Sequence, residues 1–102
     1  MKLKVDEQGG AVVLDVSGEV DMDSSPKLRD EIKKHLKSKP TALKLRMTEV
    51  PYIDSSGIAV LIEGMKWCKK KDVPYSLVQI SESVRDVLKL SRLLEAFTIE
   101  QA

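Results

Sequence analysis

Leu3 and Val5 alternate with polar neighbours, Gln8-Gly9-Gly10 supplies turn chemistry, and Ala11 to Val16 is apolar apart from Asp15. This pattern predicts an opening β-hairpin, closed by Gly18. The period then changes: Leu28, Ile32 and Leu36 recur every fourth residue behind the capping-rich Asp21-Met22-Asp23-Ser24-Ser25-Pro26, which predicts a first helix from Pro26 to Lys37. Beyond the break at Ser38-Lys39-Pro40, Leu43, Leu45 and Met47 fall on one side of an extended segment and Lys44 and Arg46 on the other, a strand with one polar face. Ile58, Leu61, Ile62 and Met65 mark a second helix that stops at Lys69-Lys70-Lys71-Asp72. Val73 to Ile80 reads as another strand, and Ser81 is placed to cap a third helix bearing Val84, Val87 and Leu88. Leu93, Leu94, Phe97 and Ile99 form a last apolar segment. Alternating strands and helices predict an α/β fold, a mixed sheet with helical, right-handed crossovers.

At 102 residues the chain suits one domain spanning 1–102, with a single core. Charged residues make up 32% of it, yet 17 basic and 16 acidic side chains nearly cancel to a net charge of +1, so nucleic acid is not an expected partner. The apolar runs are far shorter than the roughly 20 residues a bilayer-spanning helix needs, and Met1-Lys2-Leu3-Lys4 lacks a signal-peptide apolar region. No membrane insertion and a cytoplasmic location are the expectations. Cys68, the only cysteine, excludes an internal disulfide and reads as a helix residue.

Catalytic patterns are sparse. One histidine and one cysteine assemble no metal site of the usual type, and His35, among lysines on the first helix, reads as structural. Neither a phosphate-binding glycine loop nor a dinucleotide fingerprint occurs, so no cofactor is expected. A hydrolytic triad drawn from Ser55, His35 and Asp54 fails because adjacent residues on one turn do not supply the relay. An enzyme or small-ligand carrier would need a pocket and polar constellation that the sequence does not display. Lys69-Lys70-Lys71 reads as a helix C-terminus favoured by the dipole, and Lys33 and Lys34 as a solvated face.

The most informative stretch is Tyr52-Ile53-Asp54-Ser55-Ser56-Gly57, where a short apolar strand ends and an amphipathic helix begins. A serine hydroxyl at a helix N-terminus sits beside unpaired N–H groups and the positive end of the dipole, where a phosphoryl group is favoured. Ser55 is therefore a candidate switch. The alternative is that Asp54 or Ser55 only caps the helix while Gly57 relieves crowding at its start.

Gly18-Glu19-Val20-Asp21, Val50-Pro51-Tyr52-Ile53-Asp54-Ser55-Ser56-Gly57 and the Val84 to Phe97 region together resemble the STAS domain of bacterial anti-sigma factor antagonists, over nearly the whole chain. The resemblance implies a STAS-type mixed sheet with an N-terminal hairpin. It also implies a partner, an anti-sigma factor with serine-kinase activity, that phosphorylates the motif's first serine, here Ser55. Unphosphorylated, such a protein binds the anti-sigma factor and frees a sigma factor; phosphorylated, it lets go, and a phosphatase restores it. The chain departs from the family at Arg46, where Asp or Asn is common, and at Lys44, where an apolar residue is common. Tyr52 to Gly64 also looks similar to cytoplasmic STAS subunits that bind the ATPase and permease of phospholipid-trafficking ABC transporters.

At about 100° per residue, Val60 and Trp67 project away from the Ile58/Leu61/Ile62/Met65 face of the second helix. If Trp67 is exposed beside Val60 and Gly64, it is an aromatic anchor for another protein. If it lies along the sheet edge or over the first helix, it contributes packing only. The candidate partner-binding set is therefore Asp21, Asp54, Ser55, Ser56, Gly57, Val60, Gly64 and Trp67.

Overall fold

The computed structural model describes residues 1–101. Its elements are β1 (Lys2–Gln8), β2 (Ala11–Ser17), α1 (Ser25–Leu36), β3 (Leu43–Glu49), α2 (Ser55–Lys70), β4 (Tyr75–Val78), α3 (Glu82–Leu90), a 3-10 turn (Leu94–Ala96) and β5 (Ile99–Glu100). The strands form one sheet in sequential order, antiparallel between β1 and β2 and parallel thereafter. The hairpin closes with Gln8 opposite Ala11, leaving Gly9 and Gly10 as a two-residue turn at φ +58° and +87°, the left-handed region glycine enters without a Cβ penalty.

Register decides the two faces. Leu14, Leu45, Leu77 and Ile99 stand side by side across β2 to β5, and Leu28, Ile32 and Leu36 of α1, Leu61 of α2 and Leu88 of α3 close over that face, all nearly or fully buried. Each such side chain contributes about 1.5–3 kcal/mol of burial, so the four-residue period of α1 is what fastens it to the sheet. One position out of step, Asp15 pairs with Arg46, and Arg46 with Val78. On this opposite, polar face Arg46 Nη1 lies 3.8 Å from Asp15 Oδ2, and Lys44 Nζ donates to Glu100 Oε1 at 3.1 Å. On the strand face read from Lys44 and Arg46, both side chains thus pair with carboxylates of other strands, in register with the buried Val13 and Val78.

Two elements differ from the sequence pattern. β4 is four residues long instead of spanning Val73 to Ile80. Val73 donates its N–H to the Cys68 carbonyl at 2.9 Å, finishing the α2 C-terminus, Pro74 has no N–H to donate, and Gln79 turns left-handed at φ +48°. The last apolar segment is a 3-10 turn followed by a two-residue strand on β4, with Leu77 N–H donating to the Thr98 carbonyl at 2.9 Å.

Candidate functional site

An isolated parallel bridge between Val20 and Ile53 gathers the site. Val20 N–H donates to the Tyr52 carbonyl at 3.0 Å and Asp54 N–H to the Val20 carbonyl at 3.1 Å, so the turn that begins at Asp21 runs beside the turn that begins at Asp54. Asp21 organises the first turn: its Oδ1 accepts the N–H groups of Asp23 and Ser24, both at 3.0 Å. The Ser24 N–H, helped by the Ser24 hydroxyl and the Asp23 N–H against a smaller desolvation effect, holds the Asp21 carboxyl below the usual carboxylate range.

Asp54 organises the second. Its backbone is extended, and Oδ1 accepts Ser56 N–H at 2.9 Å and Gly57 N–H at 3.1 Å, while its carbonyl accepts Ile58 N–H at 3.0 Å. Capping therefore belongs to Asp54, and Ser55, the first residue of α2, is exposed with its hydroxyl spared that task. This corrects one expectation: two of the N–H groups pictured as open to an anion are already taken by a carboxylate. Ser56 is half-buried. Gly57 is buried and is not a surface contact, because a Cβ there would lie 2.6 Å from Ile53 Cγ1, 2.8 Å from Val20 Cγ1 and 2.9 Å from the Val20 carbonyl oxygen. It relieves crowding, as the sequence suggested.

The rotation of α2 overturns the outward patch. Gly57, Val60, Leu61, Gly64 and Cys68 form the buried face, and Ile58, Ile62 and Met65 are half-buried beside it. Val60 is fully buried, and Gly64 is held against the Tyr75 ring: a Cβ at Gly64 would come 3.0 Å from Tyr75 Oη, which donates to the Leu61 carbonyl at 2.8 Å. The large apolar residues misled the face assignment because α2 is seated by its small ones, whose missing side chains let Val20, Ile53 and Tyr75 approach. Trp67 is half-buried with Lys33 Nζ of α1 above its ring, 5.0 Å from the centroid, which is the packing over the first helix that the sequence left open. Twelve residues separate it from Ser55, about 18 Å along the helix at 1.5 Å per residue. The two do not share a patch.

The two turns also carry exposed apolar side chains that were not read from the sequence as part of the site. Met22, in the Asp21 turn, is 74% exposed, and Tyr52, just before Asp54, is 49% exposed. The signal was present in Met22 between two aspartates and Tyr52 at the head of the motif, neither at a core period. His35 and Cys68 take no part in this site: His35 Nε2 lies 3.3 Å from Glu31 Oε2 near the end of α1, and burial pushes the Cys68 thiol up to about 11. Among the described residues no group of His, Cys, Asp and Glu is arranged to hold a metal ion, and no helix is long and apolar enough to cross a membrane.

The STAS domain family model matches residues 2–102. The anti-sigma-B factor antagonist of Bacillus subtilis (strain 168) is 26% identical over 101 residues, covering 97% of this chain and 92% of its own. The crystal structure of an anti-sigma factor antagonist from Mycobacterium paratuberculosis superposes with a TM-score of 0.87 at 25% identity, over 97% of this chain and 84% of that one. The Bacillus cell fate determinant SpoIIAA in its phosphorylated form shares the fold, with a TM-score of 0.78 at 19% identity over 99% of this chain and 91% of that one.

Proposed function

The chain belongs to the STAS domain family, and from that membership we propose that it is a cytoplasmic anti-sigma factor antagonist switched by phosphorylation of Ser55. Its partner is an anti-sigma factor of the serine-kinase type; a phosphatase reverses the modification. The observation that carries this reading is the division of labour at the α2 N-terminus: Asp54 caps, leaving Ser55 exposed at the first helical position.

The chemistry follows from the neighbours. A phosphoryl group adds about −1.5 to −2 charges and three strong acceptor oxygens. At Ser55 it stands next to the Asp54 carboxylate, with the Asp21 turn alongside. The partner's surface meets a neutral hydroxyl, the Asp21 and Asp54 turns and the exposed Met22 and Tyr52 in one state, and a concentrated negative charge in the other. Repulsion and desolvation amounting to about 3 kcal/mol lower affinity by roughly two orders of magnitude. No refolding is needed, because the capping bonds use Asp54 and the amides of Ser56 and Gly57.

The transporter-subunit reading drew on the likeness of Tyr52 to Gly64 to such subunits and on a docking helix bearing Val60, Gly64 and Trp67, of which Val60 and Gly64 are buried and Trp67 is half-buried. One experiment separates the two: a pulldown from a lysate of the protein's own cells with wild-type, Ser55→Ala and Ser55→Asp baits, identified by mass spectrometry. A kinase-type anti-sigma factor captured by wild type and Ser55→Ala and lost with Ser55→Asp is expected. A transporter ATPase and permease captured by all three overturns the proposal.

A further inference from the structure

The basic residues that the sequence scatters over two helix ends meet in one groove. Lys33 and Lys37, around the end of α1, and Lys70 and Lys71, around the end of α2, surround a cavity of about 500 Å³ whose apolar lining is Leu36 and Trp67. The four lysines are exposed, and among the described residues none of them is in an ion pair. Lysines near a helix C-terminus offset its dipole, which explains one or two per helix. It does not explain why two such ends converge on the only tryptophan of a chain whose net charge is +1.

From this arrangement we infer a second protein-binding site, separate from the Ser55 end, that takes an acidic peptide segment carrying one apolar side chain. Charge complementarity supplies the first half: four ammonium groups in one rim, none of them neutralised by a carboxylate and one of them, Lys33, lying over the Trp67 ring, favour several carboxylates at once. The lining supplies the second: the half-buried Trp67, with Leu36 packed beneath, gives the groove an apolar floor for one leucine-sized group. The concavity selects a peptide over a bilayer. Trp67 is half-buried beneath Lys33, and Leu36 is 2% exposed, so nothing apolar protrudes to enter a membrane. A near-neutral chain likewise lacks the broad positive field a nucleic acid follows. The site adds a contact to the proposed function and does not depend on it, lying about 18 Å along α2 from Ser55.

The test is a two-dimensional NMR titration of the full chain with a synthetic, end-blocked ten-residue peptide of glutamates around a central leucine. The expected result is saturable shifts confined to the Trp67 indole N–H and the amides of residues 33–37 and 67–71. Lys37→Glu/Lys70→Glu should weaken binding roughly tenfold, and the equally charged control Lys2→Glu/Lys4→Glu should not. Replacing the peptide's leucine with serine should also weaken binding. The inference is overturned by the absence of saturable shifts, by equal losses in both lysine variants, or by indifference to the leucine. Co-sedimentation with phosphatidylserine vesicles in place of peptide binding overturns it in favour of a membrane surface.

Discussion

Gly57→Ala places a single methyl where the fold has none to spare. The added Cβ would meet Ile53 Cγ1 at 2.6 Å, Val20 Cγ1 at 2.8 Å and the Val20 carbonyl oxygen at 2.9 Å. Ile53 and Val20 are 1% and 0% exposed, so their branched side chains have nowhere to turn, and the carbonyl is held by Asp54 N–H at 3.1 Å. Overpacking of this kind costs about 1–3 kcal/mol, and three obstructed contacts, one of them backbone, place it at the upper end. Alanine recovers about 1 kcal/mol of helix propensity over glycine, leaving a net loss of about 2 kcal/mol. For a chain near 100 residues that lowers the thermal midpoint by about 10 °C. Urea unfolding followed by circular dichroism reads it directly, as a lower midpoint at unchanged slope. The strain sits on the Val20–Ile53 bridge, so partner binding should weaken along with stability. A Gly57→Ala protein as stable as the wild type, or more so, would refute the close approach on which the site's geometry rests.

Asp54→Ala removes the acceptor for two helix N–H groups and should destabilise the protein by about 1 kcal/mol, whereas Asp54→Asn keeps a capping oxygen and should lose far less; chemical unfolding of both variants distinguishes capping from charge. The Cys68 thiol, buried and pushed up to about 11, should resist iodoacetamide at pH 8 in the native protein and react within minutes in urea, and equally fast native labelling would contradict its burial. The Asp21 carboxyl has a lowered folded-state pKa, so its contribution is present above the unfolded value of 3.8 and is lost as pH falls through the folded value. Asp21→Ala should therefore lower the thermal midpoint at pH 7 by a margin that narrows as pH falls below 3.8; a gap that stays constant into acid would place the effect elsewhere.

Hydrophobic period was enough to find α1 and β3, because each presents one unambiguous apolar stripe, and Ser81 caps α3 where the pattern placed it, accepting Val84 N–H at 3.1 Å. Period failed on α2. There apolar residues occupy more than one face, and the buried face is chosen by Gly57 and Gly64, whose value lies in what they omit. The motif itself was legible as a strand end followed by a helix start, but not the assignment of the cap to Asp54, since Asp and Ser both fit that position. The placing of the Met22 turn beside the motif, and the lysine groove, were illegible for a different reason. One depends on a bridge between Val20 and Ile53, thirty-three residues apart, and the other on α1 and α2 lying side by side, linked by Arg29 and Glu63 at 3.1 Å. Neither adjacency leaves a local mark in the chain.

The central claim is that Ser55 carries the switch, and the most direct measurement is the affinity of the captured anti-sigma factor for this protein before and after phosphorylation, by titration calorimetry. The partner with ATP should modify Ser55 alone, located by mass spectrometry, leave Ser55→Ala untouched, and bind the phosphorylated protein roughly a hundredfold more weakly. Modification at another residue, or equal affinity for both forms, would contradict the account.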